Sequence, residues 1–300
     1  MRLLVTGGNG QVGWELRRSL AAVGDVIALD RKACDLSRPH DLPGLIGKVE
    51  PDVIVNTAAY TSVDQAEEEE ELAHLVNGAA VGVLATAARK RGALLIHYST
   101  DYVFDGAKAS PYTEDDPPNP INAYGRSKLA GERAMIQSAG DYLILRTSWV
   151  FSARGRNFLQ TILRLARKSD ELSIVADQIG APTWARNIAD ATALIVQRAC
   201  RERGEGEFAS GILNLTAAGA TSWSGFAEAI LDQAMGREGV QRNRPKINPI
   251  ASSEYPRPAA RPKNSRLAGE RLLGRFGIAL PKWQQGLTRC MQDEPLTEGS

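Results

Sequence analysis

Met1-Arg-Leu-Leu-Val-Thr6-Gly7-Gly8-Asn9-Gly10-Gln11-Val12-Gly13 decides the fold: a short apolar run ends in a glycine-rich turn, and an apolar pattern at helical spacing continues through Trp14, Leu16 and Leu20. Glycine at Gly7, Gly10 and Gly13 lets the backbone turn tightly, approach a pyrophosphate and pack the following helix on the sheet, while the helix N-terminus attracts negative charge. Asp30 closes the next apolar run, 23 positions after Gly7. A carboxylate there is placed to bond the adenine ribose hydroxyls, so turn and acid together point to dinucleotide binding. Arg31 and Lys32 follow at once and are suited to a 2′-phosphate. Asp30 argues for NADH and Arg31 for NADPH, and both cofactors are expected to work.

Outward from this turn, β-branched apolar runs at residues 3–6, 26–29, 53–56, 94–98 and 142–146 alternate with helical patterns. Near-continuous rather than alternating runs mark strands buried on both faces, and the βαβ rhythm predicts an α/β fold, a Rossmann-type doubly wound parallel sheet. From residue 64 to residue 91 a helical pattern follows five glutamates, 67–71, which read as a solvated first turn. After about Val150 the rhythm becomes irregular and Pro, Gly and Arg increase. The expected organisation is a dinucleotide-binding domain over residues 1–150 and a smaller C-terminal α/β substrate lobe over 151–300, some segments of which return to the first domain. Helices are expected at 157–168, 187–201 and 223–235, short strands at 172–175 and 212–215, and an ordered loop over the Pro- and Arg-rich residues 242–266.

Composition narrows the function. The 300 residues are 43% hydrophobic and 24% charged, ordinary for a folded globular chain. With 36 basic and 35 acidic side chains the net charge is +1, which gives no field for nucleic acid or an anionic membrane and leaves small molecules as partners. Cys34, Cys200 and Cys290 are far apart with no metal-ligand spacing, as in a reducing cytoplasm. The weakly polar stretch 79–88 is too short to span a bilayer.

Two motifs carry chemistry. Tyr98-Ser99-Thr100-Asp101-Tyr102 ends the fourth strand, and Tyr124-Gly-Arg-Ser-Lys128 opens a helix after the turn-forming Pro117, Pro118 and Pro120. Both fall beyond strand carboxyl ends, where this fold binds ligands. Tyr124 and Lys128 share a helix face, and an ammonium near a phenol lowers its pKa toward the range useful for general acid catalysis of carbonyl reduction.

TGGNGQVG at 6–13, STDYVFDG at 99–106, PxxxYxxSKLxGE at 120–132, RTSWVF at 146–151, GAPT at 180–183, RPKNSRL at 261–267 and LPKWQQGL at 280–287 together resemble the dTDP-4-dehydrorhamnose reductases of the extended short-chain dehydrogenase/reductase superfamily. The similarity covers essentially the whole chain. It implies NAD(P)H-dependent reduction of the 4-keto group of dTDP-4-dehydro-β-L-rhamnose to dTDP-β-L-rhamnose, the last step in making that sugar donor. By resemblance, Thr100, Tyr124 and Lys128 are catalytic. Gly10, Gln11 and Val12 line the pyrophosphate, Asp30 the adenosine ribose, Asp35 and Leu36 the adenine, and Ala59, Tyr60 and Thr61 the other side of the cofactor. Tyr124 and Lys128 also touch the cofactor, and Thr100, Asp101 and Trp149 touch the nucleotide-sugar.

Each residue also has a plainer reading: Thr100 as a strand-end cap, Trp149 as a core aromatic, and Arg257, Arg261 and Arg266 as solvated rather than substrate-bound. His40, His74 and His97 receive no role. Some members of the resembled family hold magnesium between subunits through three carboxylates; here Glu15 and Asp293 match two positions and Arg186 the other. An arginine repels a cation, which puts in doubt both the metal and the homodimer it joins. Two other functions share the same motifs, a reductase or epimerase of another nucleotide-sugar and a non-catalytic NAD(P)-binding regulatory subunit.

Overall fold

A computed structural model describes residues 1–235 and 244–293. Its first half alternates β1 (Arg2–Thr6), α1 (Gln11–Ser19), β2 (Asp25–Leu29), α2 (Leu42–Val49), β3 (Val53–Asn56), α3 (Glu70–His74), α4 (Ala80–Arg91), β4 (Leu94–Thr100), α5 (Ala123–Ser138) and β5 (Tyr142–Thr147). The second half carries β6 (Val150–Phe151), α6 (Phe158–Ala166), β7 (Glu171–Val175), β8 (Ile179–Gly180), β9 (Thr183–Trp184), α7 (Ala185–Glu205), β10 (Gly211–Asn214), β11 (Thr221–Ser222), α8 (Trp223–Met235), β12 (Lys246–Ile250), α9 (Glu270–Phe276) and α10 (Trp283–Asp293).

Six strands form one sheet in the order β10-β5-β4-β3-β1-β2, and every pair is parallel. The chain starts at β1, steps outward to β2, then crosses back to β3 on the other side of β1. Loops leaving β1 and β3 therefore diverge, and the crevice between them is where a sheet of this kind binds its ligand. Apolar runs bury both faces. Leu3, Val5, Val53, Val55 and Ile96 pack toward α1 and α7 through Leu16, Ile188 and Val196. Leu4, Ile54, Leu95 and Ile144 pack toward α2 and α4 through Ile46, Val81 and Leu84. Each such side chain contributes about 1.5–3 kcal/mol, which makes this sheet the rigid platform for the site.

Residues 185–214 return to that platform as α7 and the edge strand β10. So does α9, whose Leu272 and Phe276 join the same core with Ile278 and Leu280. A separate core gathers Phe151, Leu159, Phe226, Ile230, Trp283 and Leu287. The stretch 242–266, expected to be loop, contains the strand β12 among its described residues, paired in parallel with β7. Pro249 is tolerated because the pair is an isolated two-stranded ribbon. The pattern from 64 to 91 is a broken helix: a 3-10 turn at Gln65–Glu67, α3, a π turn at Leu75–Ala79 and then α4. The helical stretch Glu70–Arg91 is long and apolar enough to cross a membrane by length and composition, unlike residues 79–88 alone, and half of its apolar window is buried in the fold.

Candidate active site

Thr6 ends β1 and Gly7 takes φ +69°, a left-handed turn that a side chain would strain. A Cβ on Gly13 would stand 2.2 Å from the Gly7 oxygen, so α1 packs directly on the turn. Gly10 caps α1 without a side-chain hydrogen bond, leaving the first amides of the helix available to an anion. These elements wall a cavity of about 800 Å³. Gly7, Gly10, Gln11, Val12, Asp30, Arg31, Asp35, Leu36, Ala59, Tyr60, Thr61, Tyr124 and Lys128 all line it. Gly13 does not; it serves the packing beneath.

Asp30 has a structural task as well. Its Oδ1 accepts from the Lys32 and Ala33 amides at 3.0 and 3.1 Å, holding the turn after β2, and Asn9 reaches its Oδ2 at 3.3 Å. Arg31 is well exposed and lies 3.6 Å from Asp35. Tyr60 is pinned from the π turn: Asn77 accepts from the Tyr60 amide at 2.8 Å and donates to the Tyr60 carbonyl at 2.9 Å. Asn77 Nδ2 also donates to Ser127 Oγ on α5 at 2.9 Å. A π turn that presents one side chain to a site is a recurring device. The glutamate run is likewise not merely solvated. Glu67 accepts the Ala123 amide at the start of α5, Glu69 the Tyr60 phenol, and Glu70 pairs with Arg126.

The chemical end lies where β4 meets α5. Asn122 caps α5 by accepting from the Gly125 amide at 2.7 Å, and Gly125 sits against the Tyr102 carbonyl, where a Cβ would be 2.1 Å away. Tyr124 thereby faces Tyr102 edge-on, ring centroids 5.9 Å apart. Thr100 does cap the turn that follows β4, accepting from the Tyr102 amide at 3.1 Å, but its hydroxyl also donates to Asp101 Oδ1 at 3.0 Å and faces the Tyr124 phenol. Burial pushes that phenol up to about 12, with Thr100 partly opposing and the Asp101 charge adding to the rise. Burial also pushes the Asp101 carboxyl up to about 7.

The expected lowering of the Tyr124 pKa by Lys128 is thus not met: burial raises it instead. Lys128 is 2% exposed, and its Nζ donates to the Tyr98 carbonyl at 2.7 Å and meets His97 Nε2 at 3.0 Å. Burial brings its ammonium down to about 7, opposed by the Glu132 charge. Glu132 is itself held by Arg146 in a two-pronged pair at 2.9 and 2.6 Å, both side chains 1% exposed. Ser99 and Thr147 line the cavity with buried hydroxyls that have no partner.

Residues 1–295 match the family model described as the RmlD substrate binding domain. The chain belongs to that family. It is 55% identical over 294 residues to the dTDP-4-dehydrorhamnose reductase of Burkholderia thailandensis, covering 98% of this chain and 99% of that protein. The Salmonella typhimurium dTDP-4-dehydrorhamnose reductase is 44% identical, covering 98% of each. A crystal structure of the Bacillus anthracis dTDP-4-dehydrorhamnose reductase in complex with NADP superposes with a TM-score of 0.88 at 34% identity, covering 98% of this chain and 99% of that one.

In this RmlD-family chain Val150, Gly155 and Arg156 also line the cavity, and an aromatic cluster lies outside that lining. Trp149 takes φ +47°, rare for a bulky residue, and its indole stacks on Trp223 at 3.5 Å with the planes 5° apart. A Cβ on Gly180 would meet the indole at 2.4 Å, so only glycine leaves room for the ring there. Trp223 is anchored by its Nε1 on Gln178 Oε1 at 3.2 Å. Thr100, Asp101 and Trp149 lie outside the lining of that cavity. Of the three arginines, Arg261 pairs with Asp64 at 2.9 Å, Arg266 bonds Asn264 Oδ1 at 2.9 Å, and Arg257 stacks on Tyr255. Arg156 was not anticipated; it reaches the cavity from the loop before α6.

The carboxylates expected for magnesium do not fit a cation. Arg186 donates from Nε to Glu15 Oε2 at 2.9 Å and from its Nη2 to Oε1 at 3.5 Å, so a guanidinium faces both oxygens of a side chain that is 5% exposed. The Asp293 side chain lies outside the described residues. Among the described residues no group of three His, Cys, Asp or Glu side chains is arranged to hold a metal.

Proposed function

We propose that this protein reduces the 4-keto group of dTDP-4-dehydro-β-L-rhamnose to dTDP-β-L-rhamnose with NADPH or NADH. The observation that carries the reading is the meeting of Tyr124 and Lys128 on the wall of a cavity that begins at a glycine turn and a free helix N-terminus. The names of the relatives supply the substrate.

The nicotinamide, when bound, supplies hydride to the sugar C4. Tyr124, held protonated by burial, is the general acid for the carbonyl oxygen. The Thr100 hydroxyl bonds the same oxygen, so developing negative charge meets two oriented donors. Lys128 offers its ammonium to the nicotinamide ribose, and Asp101 and Trp149 meet the nucleotide-sugar.

Absorbance at 340 nm with NADPH and dTDP-4-dehydrorhamnose tests the reading. Wild type is expected to turn over, and Tyr124→Phe to lose about 100-fold or more in kcat/KM, the scale of a general acid. Equal inactivity of both proteins while NADPH still binds would exclude the enzyme. Asp30 and Arg31 both face the cavity, so kcat/KM for NADH and NADPH should lie within about 100-fold, or about 2.7 kcal/mol. A larger gap would remove one of the two cofactors.

A further inference from the structure

The sheet face toward α4 and α5 changes character at its last rung. One step below, Leu4, Ile54 and Leu95 form an apolar row across β1, β3 and β4. At the carboxyl end the in-register residues are Thr6, Asn56 and His97, all polar and at most 1% exposed. Their side chains are joined in sequence: Thr6 Oγ1 to Asn56 Oδ1 at 2.5 Å, Asn56 Nδ2 to His97 Nδ1 at 2.9 Å, and His97 Nε2 to Lys128 Nζ at 3.0 Å. A wholly buried polar row in a sheet core is stable only when each member is satisfied, and such rows fix geometry. This one runs from the residue before the glycine turn to the lysine on the cavity wall.

From this row we propose that His97 is a positioning residue for Lys128, acting as the neutral acceptor that keeps the ammonium charged and its remaining N–H aimed into the cavity. An ammonium has three donors and no acceptor. Two are taken by the Tyr98 carbonyl and His97 Nε2, which leaves one for a ligand. Burial, and next the Lys128 charge, hold the imidazole far below its ordinary pKa, so it does not compete for the charge. An acceptor at Nε2 requires the proton on Nδ1. A half-turn of the Asn56 amide, which exchanges its oxygen and nitrogen in place, then gives Nδ1 an oxygen to donate to and Thr6 Oγ1 an N–H to accept.

Other charged and titratable groups near Lys128 are Glu132 on its own helix, already paired with Arg146 of β5, and Tyr124 one turn earlier. Tyr98 turns its phenol to the opposite face of the sheet, where it bonds Thr192. Thr6 and Asn56 carry no charge. His97 is therefore the side chain that accepts directly from the Lys128 ammonium among the described residues.

This inference rests on the proposed cofactor, and its test reads binding as well as turnover. The affinity for NADPH, measured by its fluorescence without any sugar between pH 5.5 and 9.5, is compared for wild type, His97→Leu, His97→Gln and Asn56→Ser, alongside kcat/KM. Wild-type affinity is expected to fall as pH rises and Lys128 loses its proton. His97→Leu should move that fall about one to two pH units lower, the size of a lost hydrogen bond to a charged group. His97→Gln, which keeps an acceptor in reach, should restore most of the shift. Asn56→Ser should move the profile the same way by less, and it stands in if His97→Leu does not fold.

A His97→Leu profile superimposed on wild type, or a glutamine variant displaced as far as the leucine one, would overturn the proposal. So would an unmoved Asn56→Ser profile. Wild type that binds NADPH but does not reduce the dTDP-sugar would defeat the substrate reading alone, and the binding profiles would still decide on His97. Absence of NADPH binding would overturn both.

Discussion

The two ends of the cavity are built on opposite principles. At the glycine-turn end the work is done largely by backbone: Gly7 in a left-handed turn and Gly10 at a helix start, with the Asp30 carboxylate tying its own loop at the cavity edge. At the chemical end it is done by buried charge: Lys128, Glu132 and Arg146 are each at most 2% exposed, and Asp101 is 3% exposed. A site that binds phosphates needs little more than free amides and close approach. A site that moves a proton needs groups whose ionisation is set by their surroundings, and burial is what sets it for Asp101, Tyr124 and Lys128.

That contrast predicts unequal sensitivity. Glu132→Ala should cost most, about 3–5 kcal/mol of folding stability, because it strands Arg146 as a buried unpaired charge. A fall in Tm of only a degree or two would show that water reaches the pair and would weaken the contrast. At the nucleotide end Gly13→Ala should cost about 1–3 kcal/mol and raise the KM for the cofactor, because the added carbon collides with the Gly7 oxygen. Gly44→Ala in α2 is the control: nothing lies within 4 Å, and a gain of about 0.5–1 kcal/mol is expected from helix propensity. Equal behaviour of the two alanines would remove the packing argument. The smallest effect is expected from excess EDTA, which should leave the rate unchanged, since Glu15 already faces the Arg186 guanidinium. A collapse of rate restored by magnesium would contradict it.

Legibility in the sequence follows the same division. The strands were readable because parallel strands buried on both faces leave continuous apolar runs, and β3 and α8 fall at their expected bounds, 53–56 and 223–235. Gly7 and Gly10 were readable because backbone demands leave glycine at fixed spacing. What could not be read depends on contacts between distant segments. Asn77 sits in a π turn that no local pattern announces, and its partners Tyr60 and Ser127 are 17 and 50 residues away. His97 looked like one more residue of a buried strand; only register with Asn56 and Thr6 reveals its row. Trp149 could be expected near the sugar but not in a left-handed conformation stacked on Trp223. The strand β12 escaped because proline argues against inner strands and says little about a two-stranded ribbon.

The central claim is that this site delivers hydride to the sugar C4 of a dTDP-4-keto substrate. It is tested most directly by turnover of dTDP-4-dehydrorhamnose with NADPH deuterated at the transferable C4 position, followed by NMR of the product. The account predicts dTDP-L-rhamnose carrying one deuterium at the sugar C4, in step with loss of absorbance at 340 nm. A product of another configuration, deuterium elsewhere in the sugar, or cofactor bound without oxidation would contradict it.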